Sequence, residues 1–240
     1  MIKTLIAIKS CAAHRHRDDL VRRTWLSGRA VDYRFLIGGW GQDRYQSSHR
    51  HDEMLLDCPD DYASLPFKTQ ALCRCLLAEG YDFVFLCDND TYVCVPRLFG
   101  SDFYAADYTG FFARCVSCES DADGHCTCVT GEGQRLYSYA SGGSGYWLSR
   151  KAMAVVVAAD FTKDPLRPNS PEPSTRGEDL QVGWALGRAG IRCRRDPRYS
   201  LYWPGPRMDN STITLHNTTQ FSESENLAVI HRAWLSSGGY

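Results

Sequence analysis

A chain of 240 residues, 43% hydrophobic and 23% charged, is long enough to bury a substantial core, which excludes disordered, collagen-like and coiled-coil readings. Its 27 Lys+Arg nearly cancel 28 Asp+Glu, for a formal net charge of −1, so no overall field draws in nucleic acid or an anionic membrane surface. A charged ligand must be met by local groups, and the apolar runs at 4–8 and 83–87 are far shorter than the roughly 20 residues of a membrane-spanning helix.

Residues 4–8, Thr-Leu-Ile-Ala-Ile, are also too short for the core of an export signal and predict a strand buried on both faces, at home in a parallel sheet. Asp18 and Asp19 stand before Arg22 and Arg23, acids ahead of bases as the helix dipole favours, which predicts a helix ending near Trp25. A second strand is predicted at 33–37, closed by Gly38-Gly39. Leu65, Leu72, Leu76 and Leu77 follow helical spacing within 61–79, and Gly80 stands just past the end. The strand Phe83-Val84-Phe85-Leu86 comes next. Strands alternating with helices predict an α/β fold with a mostly parallel central sheet flanked by helices, whose sites lie at the carboxyl ends of the strands.

Past Tyr92 the chain turns Gly-, aromatic- and Cys-rich, predicting an antiparallel, loop-rich second half. Helices are predicted at 151–159 and 178–189, the latter ended by Gly190, with a Pro/Ser/Asn loop at 164–175 between them and a strand-poor tail from Pro204. No repeat or low-complexity linker divides the chain, so one domain is expected. The basic run Arg192–Arg198 reads as a solvated edge strand, or as a surface for an anionic acceptor.

Eleven cysteines in a chain with no recognisable export signal point to a reducing, cytoplasmic setting. Cys115-x-x-Cys118 and His125-Cys126-x-Cys128 crowd four thiols and an imidazole into a polar loop at 115–128 that needs a staple. Structural Zn²⁺ on Cys115, Cys118, Cys126 and Cys128, two local disulfides, and free thiols all remain open. Cys11, Cys58, Cys73, Cys75, Cys87, Cys94 and Cys193 lie among apolar residues and are expected to pack inside.

Asp88-Asn89-Asp90 directly follows the buried strand at 83–87, which puts two carboxylates where a parallel sheet opens to solvent. Hard oxygen ligands there suit Mg²⁺ or Mn²⁺ holding a diphosphate; turn chemistry alone also favours Asp and Asn after a strand. Ser141-Gly142-Gly143-Ser144-Gly145 lacks the spacing and following Lys of a phosphate loop.

The segment Phe83-Val84-Phe85-Leu86-Cys87-Asp88-Asn89-Asp90-Thr91-Tyr92-Val93 resembles the D-D-D-T-Y-V stretch of the β-1,3-galactosyltransferase and Fringe group of inverting glycosyltransferases, with Asn for the middle Asp. Arg22-Arg23-Thr24-Trp25 is similar to that group's R-x-T-W helix. Asp61, Tyr62, Leu65 and Lys68 fit its D-x-Y-x-x-L-x-x-K block, Tyr139 to Ser149 its Y-x-S-G-x-G-Y-x-L-S stretch, and Glu178-Asp179-Leu180-Gln181-Val182-Gly183 its E-D-V-x-V-G element. The blocks run in order from about Ser10 to Ile191; the tail past Asp196 and the Cys-rich loop match poorly.

The resemblance implies a GT-A-like, Rossmann-type α/β fold, with a nucleotide-binding half at 1–95 and an acceptor-binding half at 96–240. It implies transfer of a hexose or N-acetylhexosamine from a UDP-sugar to a hydroxyl on a glycan, glycoprotein or small molecule, with β-1,3 linkage. Asp90 would bind the metal directly and Asp88 through water or at the ribose; His216, with His231 as rival, would complete the metal site. Arg22, Arg23, Lys68 and Asn89 would line the donor site, and Gly142 and Gly143 would let the backbone approach the donor sugar. Asp179 would be the general base, Glu178 being the neighbour most easily mistaken for it. Animal members of the group work in the Golgi behind a membrane anchor; Met1 just before the first strand favours a naturally anchorless enzyme instead. Two rivals stand beside this: a sugar- or nucleotide-binding protein that has lost turnover, whose support is Asn89, and a zinc-stapled nucleic-acid binder, against which the balanced charge weighs.

Overall fold

The computed structural model describes residues 2–39, 49–112, 127–129, 135–163, 177–200, 211–216 and 223–236. Its first half lays down β1 (Thr4–Lys9), α1 (Arg15–Arg23), β2 (Tyr33–Gly38), β3 (Glu53–Leu56), α2 (Leu65–Ala78) and β4 (Phe83–Asp88). These four strands are mutually parallel, with β1 between β4 and β2 and β3 at the edge. Alternation along the strands divides the core into two layers. Leu5, Ala7, Val84 and Leu86 point into one, while Ile6, Ile8, Phe85 and Cys87 point into the other.

The second half contributes β5 (Thr91–Val93), α3 (Val95–Phe99), β6 (Tyr108–Gly110), β7 (Thr127–Val129), β8 (Arg135–Tyr137) and β9 (Tyr146–Ser149). It continues through α4 (Arg150–Ala158), α5 (Glu178–Arg188), β10 (Arg194–Arg195), β11 (Tyr199–Ser200), β12 (Thr214–His216) and α6 (Glu223–Ser236). The main sheet runs β10-β6-β9-β4-β1-β2-β3, with β9 antiparallel to both β4 and β6. A small sheet, β11-β12-β5, and the β7-β8 hairpin stand apart from it. Helices α2, α4 and α5 cover one face; α1, α3 and α6 cover the other.

The fold is the α/β arrangement expected, and Gly80, at φ +82°, lies just beyond the end of α2. Two elements differ from expectation. Strand β3 is only four residues, too short for a periodicity to stand out. Helix α6 lies in the tail expected to be loop, where Leu227, Ile230 and Trp234 bury a helical stripe against the second core layer.

Strand β10 forms the sheet edge, and Arg194 and Arg198 bond Asp102 there. Cys73, Cys87, Cys94 and Cys193 are buried, whereas Cys11, Cys58 and Cys75 are half-buried. Trp25 fills the second core layer. Among the described residues no helix is long and apolar enough to cross a membrane.

Candidate active site

Strands β1 and β4 pair in register to their last residues, Lys9 opposite Asp88, so two charged side chains leave the sheet side by side at its carboxyl edge. The chain then turns through Asn89 and Asp90 into β5, which pairs antiparallel with β12 so that Thr91 faces His216. That register delivers His216 to Asp90, with Nδ1 and Oδ1 3.3 Å apart. Neither atom makes a hydrogen bond, and both are buried. One ligand atom from each of Asp88, Asp90 and His216 lies within 4.8 Å of the others. Two carboxylates and an imidazole, with two of their atoms buried and unbonded, fit a divalent cation such as Mn²⁺ or Mg²⁺.

Burial alone would raise the Asp90 pKa, but His216 and then Arg17, 3.9 Å away, outweigh it and hold the carboxyl below its ordinary range. For His216, burial is likewise outweighed by Asp90, and its pKa is raised.

Lys9 ties this edge to the start of α5. Its ammonium lies 3.2 Å from Asp88 and 3.0 Å from Glu178, whose other oxygen accepts from Thr69 Oγ1 at 2.7 Å and from the Tyr146 hydroxyl. Burial works against the Lys9 charge, but Asp88 and Glu178 more than compensate and raise its pKa. Glu178 is thus enclosed, while Asp179 stays partly exposed. The Asp179 carboxylate accepts from its own helix at Leu180 N (2.8 Å) and from Gly142 N (3.2 Å). Burial, then the Glu178 charge, raises its pKa. The two neighbouring acids are separated by environment in a way no local pattern shows.

Gly142 and Gly143 lie between the two groups of charges. A Cβ on Gly143 would fall 2.7–2.8 Å from the His216 ring, so only glycine fits there, and one on Gly142 would fall 2.9 Å from Lys9 Nζ and displace that ammonium. Thr91 Oγ1 donates to Gly143 O at 2.7 Å and Thr214 Oγ1 to Ser144 O at 2.6 Å, pinning this loop to β5 and β12.

A cavity of about 230 Å³ opens beside Asp88, Asn89 and Asp90, lined by Lys9, Ser10, Cys11, His14, Arg17, Asp60, Asp61, Tyr62, Leu65 and Lys68 as well. Lys68 donates to Ser10 O (2.6 Å) and Asp60 (2.8 Å), while Asp60 accepts from Ala12 N and Gly38 N. Tyr62 is 80% exposed at this cavity. Asn89 is 5% exposed, and its amide is turned to Ser10 and Asp18.

Other sequence candidates lie elsewhere. Arg22 grips Asp52 and Asp19 and covers the Phe35 ring, Arg23 is exposed, and neither lines the cavity. His231 meets the Tyr92 hydroxyl at 3.0 Å from α6. Cys115, Cys118, His125 and Cys126 lie outside the described residues, and of Cys128 only its place in β7 is described. Lys9 and Arg17 were not singled out from sequence. For Lys9 a signal existed, since it ends a buried strand just as Asp88 does.

Residues 2–189 match the family model described as Fringe-like. No curated protein matches the chain in sequence. Among solved structures, a glycosyltransferase involved in the glycosylation of the major capsid of PBCV-1 is 12% identical, with TM-score 0.52, over 94% of this chain and 98% of that one. The apo-form glycosyltransferase GlyE of Streptococcus pneumoniae TIGR4 is 13% identical, with TM-score 0.50, over all of this chain and 64% of that one. At such identities the likeness concerns the fold. The match across 2–189 and this architecture together mean that the chain belongs to the Fringe-like family and has the GT-A-like fold of glycosyltransferases.

Proposed function

We propose that the protein is a metal-dependent inverting glycosyltransferase that moves a hexose or N-acetylhexosamine from a UDP-sugar to a hydroxyl of a glycan, glycoprotein or small molecule, forming a β-1,3 linkage. The observation that carries this is the convergence of Asp88, Asp90 and His216 on one side of Gly142-Gly143 and of Asp179 on the other. A Mn²⁺ or Mg²⁺ ion held by Asp88, Asp90 and His216 would supply positive charge for the departing diphosphate.

Asp179 takes the proton of the acceptor hydroxyl as that oxygen attacks C1. The C1–O bond to UDP breaks on the opposite face, which inverts the anomeric centre. Gly142 N, bonded to one Asp179 oxygen, orients the carboxylate, while Gly142 and Gly143, having no side chains, let Lys9 and His216 close against the backbone. Lys9 keeps Asp88 and the start of α5 in a fixed relation. Arg17 and Lys68 place positive charge at the cavity that receives the nucleotide.

Release of UDP, measured with Mn²⁺ across a panel of UDP-sugars, tests the proposal. Asp179→Ala is expected to lower turnover by roughly a hundredfold or more while UDP binding stays within about threefold, since a general base contributes about 10²–10⁴ to rate. A protein that binds UDP-sugars yet turns none over is the binding-protein alternative; undiminished turnover in Asp179→Ala removes that residue from the mechanism.

A further inference from the structure

The middle residue of Asp88-Asn89-Asp90 has an account inside the molecule. Asn89 Nδ2 donates to Ser10 Oγ at 3.0 Å and to Asp18 Oδ1 at 3.0 Å, and the Ser10 hydroxyl donates to the Asp18 carboxylate at 2.7–2.8 Å. Asp18 is 0% exposed and Asn89 5%. The three residues come from α1, from the exit of β1 and from the turn after β4, so the network joins the elements that frame the metal-side edge.

We propose that Asp18, Ser10 and Asn89 form a buried positioning network that sets the turn carrying Asp88 and Asp90, and that asparagine at 89 is the charge match to Asp18 rather than a mark of lost turnover. The proposal deepens the function given above and rests on it for its catalytic meaning.

The chemistry is directional. An ionised carboxylate only accepts hydrogen bonds, so Asp18 needs donors around it, and an amide at 89 supplies them where an ionised Asp cannot. With Asp at 89, two carboxylates would face each other about 3.0 Å apart where Asp18 is 0% exposed and residue 89 only 5%, so repulsion is strong and screening weak. The turn would have to move to relieve this. Its neighbours on either side are Asp88 and Asp90, so the displacement reaches both carboxylates of the metal cluster. Exchanging the two residues, Asn at 18 and Asp at 89, restores one acid and one amide and reverses only the direction of the bond.

The test is a four-member cycle of the full chain, wild type, Asn89→Asp, Asp18→Asn and the double variant, read at pH 8 by Mn²⁺ titration with electron paramagnetic resonance and by thermal melting. Asn89→Asp is expected to weaken Mn²⁺ binding at least tenfold, and the double variant to return to within threefold of wild type. Unchanged Mn²⁺ affinity in folded Asn89→Asp overturns the positioning role, even if its melting point falls. So does a double variant no better than the worse single one. If Asn89→Asp does not fold, a folded double variant with wild-type Mn²⁺ affinity supports the network and an unfolded one overturns it. Mn²⁺ binding needs no sugar nucleotide, so a wild type that binds Mn²⁺ but releases no UDP overturns the proposed function alone, whereas one that binds no divalent cation overturns both.

Discussion

At Lys9 one ammonium, 5% exposed, serves Asp88 at 3.2 Å and Glu178 at 3.0 Å. Removing one partner of a buried ion pair leaves the other charge uncompensated, so Lys9→Met is expected to cost about 3–5 kcal/mol, measured by urea unfolding. Lys9→Met with Glu178→Gln is expected to recover part of that loss, because one of the stranded carboxylates is gone. Asp179 behaves in the opposite sense. Its pKa is raised by burial and by Glu178, so the folded state favours the protonated acid, and the ionised form at neutral pH destabilises the fold. Asp179→Asn is therefore expected to raise the melting temperature at pH 7 while lowering turnover by roughly a hundredfold or more, the stability difference shrinking as pH falls through the raised pKa. The same sign applies to rate: a base acts only when ionised, so kcat/KM of the wild type is expected to fall on the acid side at a pH above the ordinary Asp value of about 3.9. An acid limb at or below that value speaks against Asp179 as the base.

Among elements, α5 is the one on which most depends, because its first turn carries Glu178 and Asp179 while its flank is packed tightly by β8 and the chain that follows. A Cβ at Gly187 would overlap the Tyr137 side chain, and one at Gly183 would overlap Tyr139. Overpacking of this kind costs about 1–3 kcal/mol, so Gly187→Ala is expected to lower the midpoint of urea unfolding accordingly. Gly183→Ala lies one turn from Asp179 and is expected to lower kcat as well, because moving α5 breaks the Gly142 N to Asp179 bond. Helix α5 was legible in sequence from its acids, its apolar spacing and Gly190. Its closeness to Tyr137 and Tyr139 was not, since two glycines in a helical pattern carry no record of what approaches them. In the same way, the antiparallel register with β5 that sets His216 beside Asp90 depends on a partner more than a hundred residues earlier.

For the whole molecule, a cation bound only by the folded state stabilises it by about 2.7 kcal/mol at a hundred times its dissociation constant. At about 2–4 °C per kcal/mol for a chain of this size, saturating Mn²⁺ is expected to raise the melting temperature by roughly 5–10 °C, and a chelator to reverse it. His216→Ala is expected to remove most of that shift. Local pattern alone determined the alternation of strands and helices, the parallel sheet, and the carboxylates at the end of β4, because side-chain periodicity, end signals and turn chemistry act over a few residues. Tertiary structure alone decided that Lys9 meets Glu178 across 169 positions of sequence, that Asn89 turns to Asp18 across 71, and which of two adjacent acids is enclosed. Those contacts follow from strand order and register. Such features arise when distant segments compete to bury the same surface, and no short stretch of chain records the outcome.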